Sequence, residues 1–101
     1  MSKVSMIGKI TVLPGKADEA EKVLAQMVDA VRGEPGVEVY SYHRGDGDTF
    51  WFFSVMADEA AVASHRQTPA MMDAMAAFMP LAAGRPDIAM AKPVAALGHD
   101  V

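Results

Sequence analysis

An α+β domain with the element order strand, helix, strand, strand, helix, strand is predicted by three observations in the sequence. Apolar residues switch between alternating and helical spacing along the chain, Pro and Gly clusters fall at the switches, and the strand-like runs are rich in β-branched and aromatic residues. Residues 4–13, VSMIGKITVL, alternate loosely and are closed by a Pro14-Gly15 turn, so they read as the first strand. From Ala17 the period becomes helical: Ala20, Val23, Leu24, Met27, Val28 and Val31 share one face, with Asp18, Glu19, Glu21, Lys22, Asp29 and Arg32 opposite. Gly33 and the Glu34-Pro35-Gly36 turn end this helix, because proline disfavours helical angles in the residue before it and glycine permits the reversal.

Val37 to Arg44 form the second strand, Gly45-Asp46-Gly47-Asp48 a hairpin loop, and Thr49 to Ala57 the third strand. Asp58 is placed to cap the second helix, and Thr68 with Pro69 at a first helical position restarts it before the pattern fades by Pro80. Residues 87–97 make a last strand, in which Pro93 marks an edge or a bulge. This order predicts a ferredoxin-like βαββαβ fold, a four-stranded antiparallel sheet with two helices on one face. The third strand is apolar at both parities, Phe50, Phe52 and Met56 on one side and Trp51, Phe53 and Val55 on the other. Both sheet faces should therefore be buried, the uncovered one in a homodimer, since a bare face of that composition exceeds the apolar patch a monomer usually exposes.

The 101 residues, 51% of them hydrophobic, suit a single domain over 1–101, with a core at about 4–95 and a tail at 96–101. No apolar run is long enough to span a bilayer and no secretory leader pattern opens the chain, so the expectation is a soluble cytoplasmic protein without a membrane partner. Cysteine is absent, which removes disulfides and thiolate metal sites. A net charge of −4 without Lys or Arg clusters argues against nucleic acid as a partner.

Among candidate chemical groups, His65 stands out because it sits between two helix starts, at a break that aims a side chain. It is either an acid-base or orienting group, or a structural histidine satisfied by a carbonyl at the break. His43 with Asp46 and Asp48 makes a poor metal site, since acidic hairpin loops are commonly solvated turns, and His99 belongs to the tail. Tyr40 and Tyr42 share a strand face with Glu38 and Arg44; pocket wall and dimer interface are both open, with the interface preferred. Met71, Met72, Met75, Phe78 and Met79 form a helical stripe that suits a core, and equally a wall for a flat aromatic ligand. No nucleophile elbow, Ser-His-acid order or phosphate-binding glycine loop is present.

The helix after Pro14-Gly15, the Glu34-Pro35-Gly36 turn, Tyr40, and above all His65 followed by Gln67-Thr68-Pro69 resemble the antibiotic biosynthesis monooxygenase family of the dimeric α/β barrel superfamily, over about residues 4–95. The resemblance implies a homodimer with one pocket per subunit between sheet and helices. It also implies oxygenation of a phenolic or quinol-type aromatic by dioxygen without cofactor, with His65 as the catalytic residue and Phe52, Ser54, Met56, Met71, Met75 and Phe78 lining the pocket. Other relatives degrade heme, isomerise small phosphorylated sugars or have no known reaction, so a ligand-binding or stress-related dimer and a small-molecule isomerase are the alternatives. The chain departs from the family where relatives often carry a glutamate and a tryptophan before the second helix, positions filled here by Ser54 and Met56. Ala70 replaces a second histidine of some members, and Met75 occupies the place of the heme-ligating histidine. Trp51 is no substitute for the tryptophan, because its odd spacing from Met56 puts it on the opposite face.

Overall fold

The computed structural model describes residues 2–101. Its elements are β1 (Val4–Thr11), α1 (Ala17–Val31), β2 (Val37–Arg44), β3 (Thr49–Met56), α2 (Glu59–Arg66), α3 (Pro69–Phe78) and β4 (Asp87–Ala91), with a 3-10 turn over Met79–Leu81. The strands form one sheet in the order β2-β3-β1-β4, antiparallel throughout, which is the ferredoxin-like arrangement. The buried stripe of α1, Ala20, Leu24, Met27 and Val31, follows the expected helical spacing and packs in one core with Met6, Ile10, Phe50, Phe52 and Met56 of the sheet.

Four details differ from the sequence reading. The last strand ends at Ala91 instead of residue 97: it pairs only with Ser5 to Lys9 of β1, and Pro93 just beyond has no N–H to continue the ladder. The first strand ends at Thr11, beyond which Val12 makes an isolated bridge to Ala82 and donates its N–H to Asp48 O at 2.9 Å. A bulge between Val37 and Val39 breaks the alternation of β2, so Glu38 leaves the face of Tyr40 and pairs with Lys3. Tyr40 and Tyr42 pair with Ser54 and Phe52 and pack against the helix-side core; they do not lie on the open face assigned to an interface.

The second helical stretch is two helices. Asp58 caps α2 by accepting from Ala61 N at 2.8 Å, and Thr68 Oγ1 caps α3 by accepting from Met71 N at 3.2 Å, with Pro69 in the first turn. Pairing of β3 with β1 is continuous, so Trp51 lies opposite to the face of Met56. On that far face Ile7 and Trp51 are half exposed, and the C-terminal residues cross toward it, with the His99 ring 6.1 Å from that of Phe53.

The turn between α1 and β2 is seated on α2 through Gly36. This residue has φ of +86°, and a Cβ there would lie 2.6 Å from the Cβ of Ala61. Its carbonyl also accepts from Ala57 N at 2.8 Å, joining the start of β2 to the end of β3. Gly36→Ala is expected to destabilise the protein by about 1–3 kcal/mol, read as a lower urea midpoint at unchanged slope.

Candidate active site

A cavity of about 490 Å³ lies between the sheet and the helices. The sheet contributes Met6 and Ile10 from β1, Tyr40 and Tyr42 from β2, Phe52 from β3, and Ile88 and Met90 from β4. The helices contribute Leu24 and Met27 of α1, His65 and Arg66 of α2, and Met71, Met75 and Phe78 of α3. Met75, Ile88 and Met90 are exposed and mark its open side. Gly8 shapes this side as well, since a Cβ there would meet Ile88 Cγ1 at 2.6 Å. A second depression of about 550 Å³, bordered by Lys3, Glu59 and Lys92, is ringed by ordinary surface residues and brings no buried acid, base or nucleophile together.

Polar groups gather at one end of the cavity. His65 is 5% exposed at the last turn of α2, where Thr68 Oγ1 donates to its carbonyl at 3.3 Å. Its Nδ1 lies 3.2 Å from Glu34 Oε1, and Nε2 has no hydrogen-bond partner among the described residues. The ring stands edge-on to that of Tyr40, with centroids 5.3 Å apart. Tyr40 and Tyr42 are joined Oη to Oη at 3.0 Å, both against Phe52, and Tyr42 Oη also lies 3.8 Å from the weak acceptor Met27 Sδ.

Burial pushes both phenols above the usual tyrosine range. For Tyr42 the neighbouring Tyr40 adds to the effect; for Tyr40 the Tyr42 hydrogen bond partly offsets it, and the negative charge of Glu34 reinforces it. Both hydroxyls are therefore neutral near pH 7 and available as donors or acceptors.

Of the residues singled out in the sequence, the structure brings His65, Phe52, Met71, Met75 and Phe78 to this cavity. Ser54 and Met56 share its sheet face but are not in its wall, a correction to the sequence reading. They are fully buried toward the end of β3, where α2 packs directly on the sheet through Ala61 and Val62. Ser54 Oγ has no hydrogen-bond partner among the described residues. His43 bonds to Ser41 Oγ on the other face, and no cluster of three or more possible metal-ligating His, Asp or Glu side chains occurs among the described residues. For Tyr40 and Tyr42 the sequence left pocket wall and interface open with the interface preferred, and the structure places both in the cavity wall; their parity relative to the helices depends on the pairing register. Sequence reasoning missed Glu34, whose carboxylate in a Pro-Gly turn gave no signal of burial.

These features define a ferredoxin-like α+β domain with a half-open, largely apolar cavity and a histidine–carboxylate pair at its polar end. Residues 3–77 match the family model of the antibiotic biosynthesis monooxygenases, and the chain belongs to that family. A Caulobacter crescentus protein named for this family superposes with a TM-score of 0.87 at 29% identity, covering 93% of this chain and 92% of its own. One from Chloroflexus aurantiacus gives 0.85 at 25% identity, covering 96% and 98%. A cofactor-independent oxygenase from Streptomyces nogalater gives 0.82 over 98% of this chain and all of its own; at 19% identity it shows the shared fold alone. No match to a curated protein was found. Among the described residues no helix is long and apolar enough to cross a membrane.

The two tyrosines of the chain are both in this pair, which makes their burial measurable by absorbance. Their raised pKa values contribute stability that is present below the unfolded value of about 10 and is lost as pH rises beyond it. Native protein at about pH 10.5 should show little tyrosinate absorbance near 295 nm while urea-unfolded protein, its tyrosines ionising near pH 10, shows about three-quarters of the full signal. The urea midpoint should fall across the same range, and less so in Tyr42→Phe.

Proposed function

We propose that the protein is a cofactor-independent monooxygenase that oxidises a phenolic or quinol-type aromatic, with His65 as the base. The observation that carries this reading is His65 in the cavity wall, one ring nitrogen on Glu34 and the other without a partner among the described residues, beside an apolar chamber sized for a small ligand. Met71, Met75, Phe52 and Phe78 suit the faces of a flat ring through sulfur–aromatic and aromatic contacts, and the neutral Tyr40–Tyr42 pair suits a ligand oxygen.

The reaction for an anthrone-like substrate is written in balanced steps. His65 Nε2 removes a proton from the activated CH2, and the resulting anion passes an electron to dioxygen. Recombination forms a C–O bond, and the peroxide takes the proton back from His65. His65 then removes the remaining C–H proton, the O–O bond breaks, a C=O bond forms, and the departing hydroxide leaves as water with the returned proton. One oxygen atom enters the product and the other becomes water. The apolar walls favour this course because they leave the anion poorly solvated and readily oxidised.

A dimer through the open sheet face accompanies this reading. Ile7 and Trp51 stand half exposed there, and Val94 and Leu97 of the tail are exposed, an apolar set that a second copy would cover. A competing reading, a dimer that holds an apolar molecule without turning it over, draws on Ser54 and Met56, which do not reach the cavity.

Hydroquinone or anthrone in metal-free buffer is expected to drive oxygen uptake, and His65→Ala to lower kcat by about 10²–10⁴-fold with the oligomer intact. Unchanged turnover in that variant removes His65 from the mechanism, whereas tight binding without uptake supports the competing reading. Light scattering should give the mass of a dimer, and Trp51→Glu that of a monomer.

A further inference from the structure

Glu34 occupies a surface turn between Gly33 and Pro35, where a carboxylate could easily be solvated, yet its side chain is only 16% exposed. Oε1 meets His65 Nδ1 at 3.2 Å, and Oε2 is buried with no hydrogen-bond partner among the described residues. Turning half a carboxylate away from water without a partner is unfavourable, so packing alone does not account for the arrangement. The turn is held on both sides, by Glu34 N on Val31 O at 3.1 Å and Val37 N on Glu34 O at 3.3 Å. Gly36 presses the same turn against Ala61 of α2, and Thr68 fixes the carbonyl of His65 at the end of that helix. The Tyr40 ring stands edge-on against the imidazole, with centroids 5.3 Å apart. Three separate elements thus converge to hold one carboxylate against one ring nitrogen.

We propose that Glu34 is the positioning residue of the site: it accepts the Nδ1–H of His65, holds the ring in that tautomer and leaves the Nε2 lone pair for the substrate proton. A carboxylate has only acceptor sites, so the proton in this contact belongs to Nδ1. When Nε2 takes a proton, Nδ1–H stays on Glu34 and the positive charge of the ring develops beside a negative one. The same logic applies wherever a buried carboxylate orients a catalytic imidazole. The catalytic half of this assignment rests on the oxygenase reading; the tautomer is a property of the resting protein and is measured without substrate.

The test is ¹⁵N NMR of the histidine rings at a pH where they are neutral, with signals assigned through replacement of His43 and His99. Wild-type His65 should be the Nδ1–H tautomer. Glu34→Ala should shift it toward Nε2–H, and Glu34→Gln, whose amide carbonyl still accepts, should keep it. With a turned-over aromatic, Glu34→Ala should lower kcat roughly tenfold or more at near-constant KM, with Glu34→Gln in between. An Nε2–H tautomer in the wild type, or an unchanged one in folded Glu34→Ala, overturns the proposal. If the variants do not fold, the wild-type spectrum alone decides it. If no aromatic supports oxygen uptake the oxygenase reading falls, while the tautomer still decides the role of Glu34.

Discussion

The second helical stretch cannot run straight through Thr68 and Pro69, and the site depends on that break. Thr68 adopts extended angles, φ −69° and ψ 139°, and its side chain caps a new helix while its hydroxyl also reaches back to the carbonyl of His65. The two halves then take different partners. α2 packs on β3, whereas α3 packs chiefly on α1 and leaves the sheet beneath it uncovered. The uncovered floor between Phe52, Tyr42 and β4 is the cavity, and His65, the penultimate residue of α2, stands at its edge.

The distribution of polar groups follows from this geometry. Where α2 lies directly on the sheet, Ser54 and Met56 are closed off. Where it ends, His65, Glu34, Tyr40 and Tyr42 come together, and burial keeps the phenols protonated, so the chamber offers neutral hydroxyls beside one histidine–carboxylate pair. The rest of the wall is methionine, leucine, isoleucine, phenylalanine and Pro86, without charge apart from Arg66 and adaptable in shape where methionine lines it. Identities of 29% and 25% to solved relatives preserve the backbone of this arrangement closely, while the side chains that meet a ligand are free to differ between members.

Much of the fold was legible because it is written in local signals. The α1 stripe and the Asp58 and Thr68 caps each depend on neighbours in sequence, and the structure shows both. The errors fell where distant segments decide. The bulge at Glu38 is a mismatch between two strands, and the end of β4 depends on how far β1 accompanies it. His65 drew attention through its place at a helix break, and a break is a local feature.

By itself the sequence determined the element order, the helix caps and the histidine at the break, since each follows from backbone preference and hydrophobic period over a few residues. Only the tertiary structure decided which face of β2 carries Tyr40 and Tyr42, that Ser54 and Met56 are sealed beneath α2, and that Glu34 meets His65 across 31 positions of chain. The reason is physical: register, helix divergence and the burial of a turn are set by long-range packing, and no local pattern encodes the distance between two side chains that only the folded core brings together.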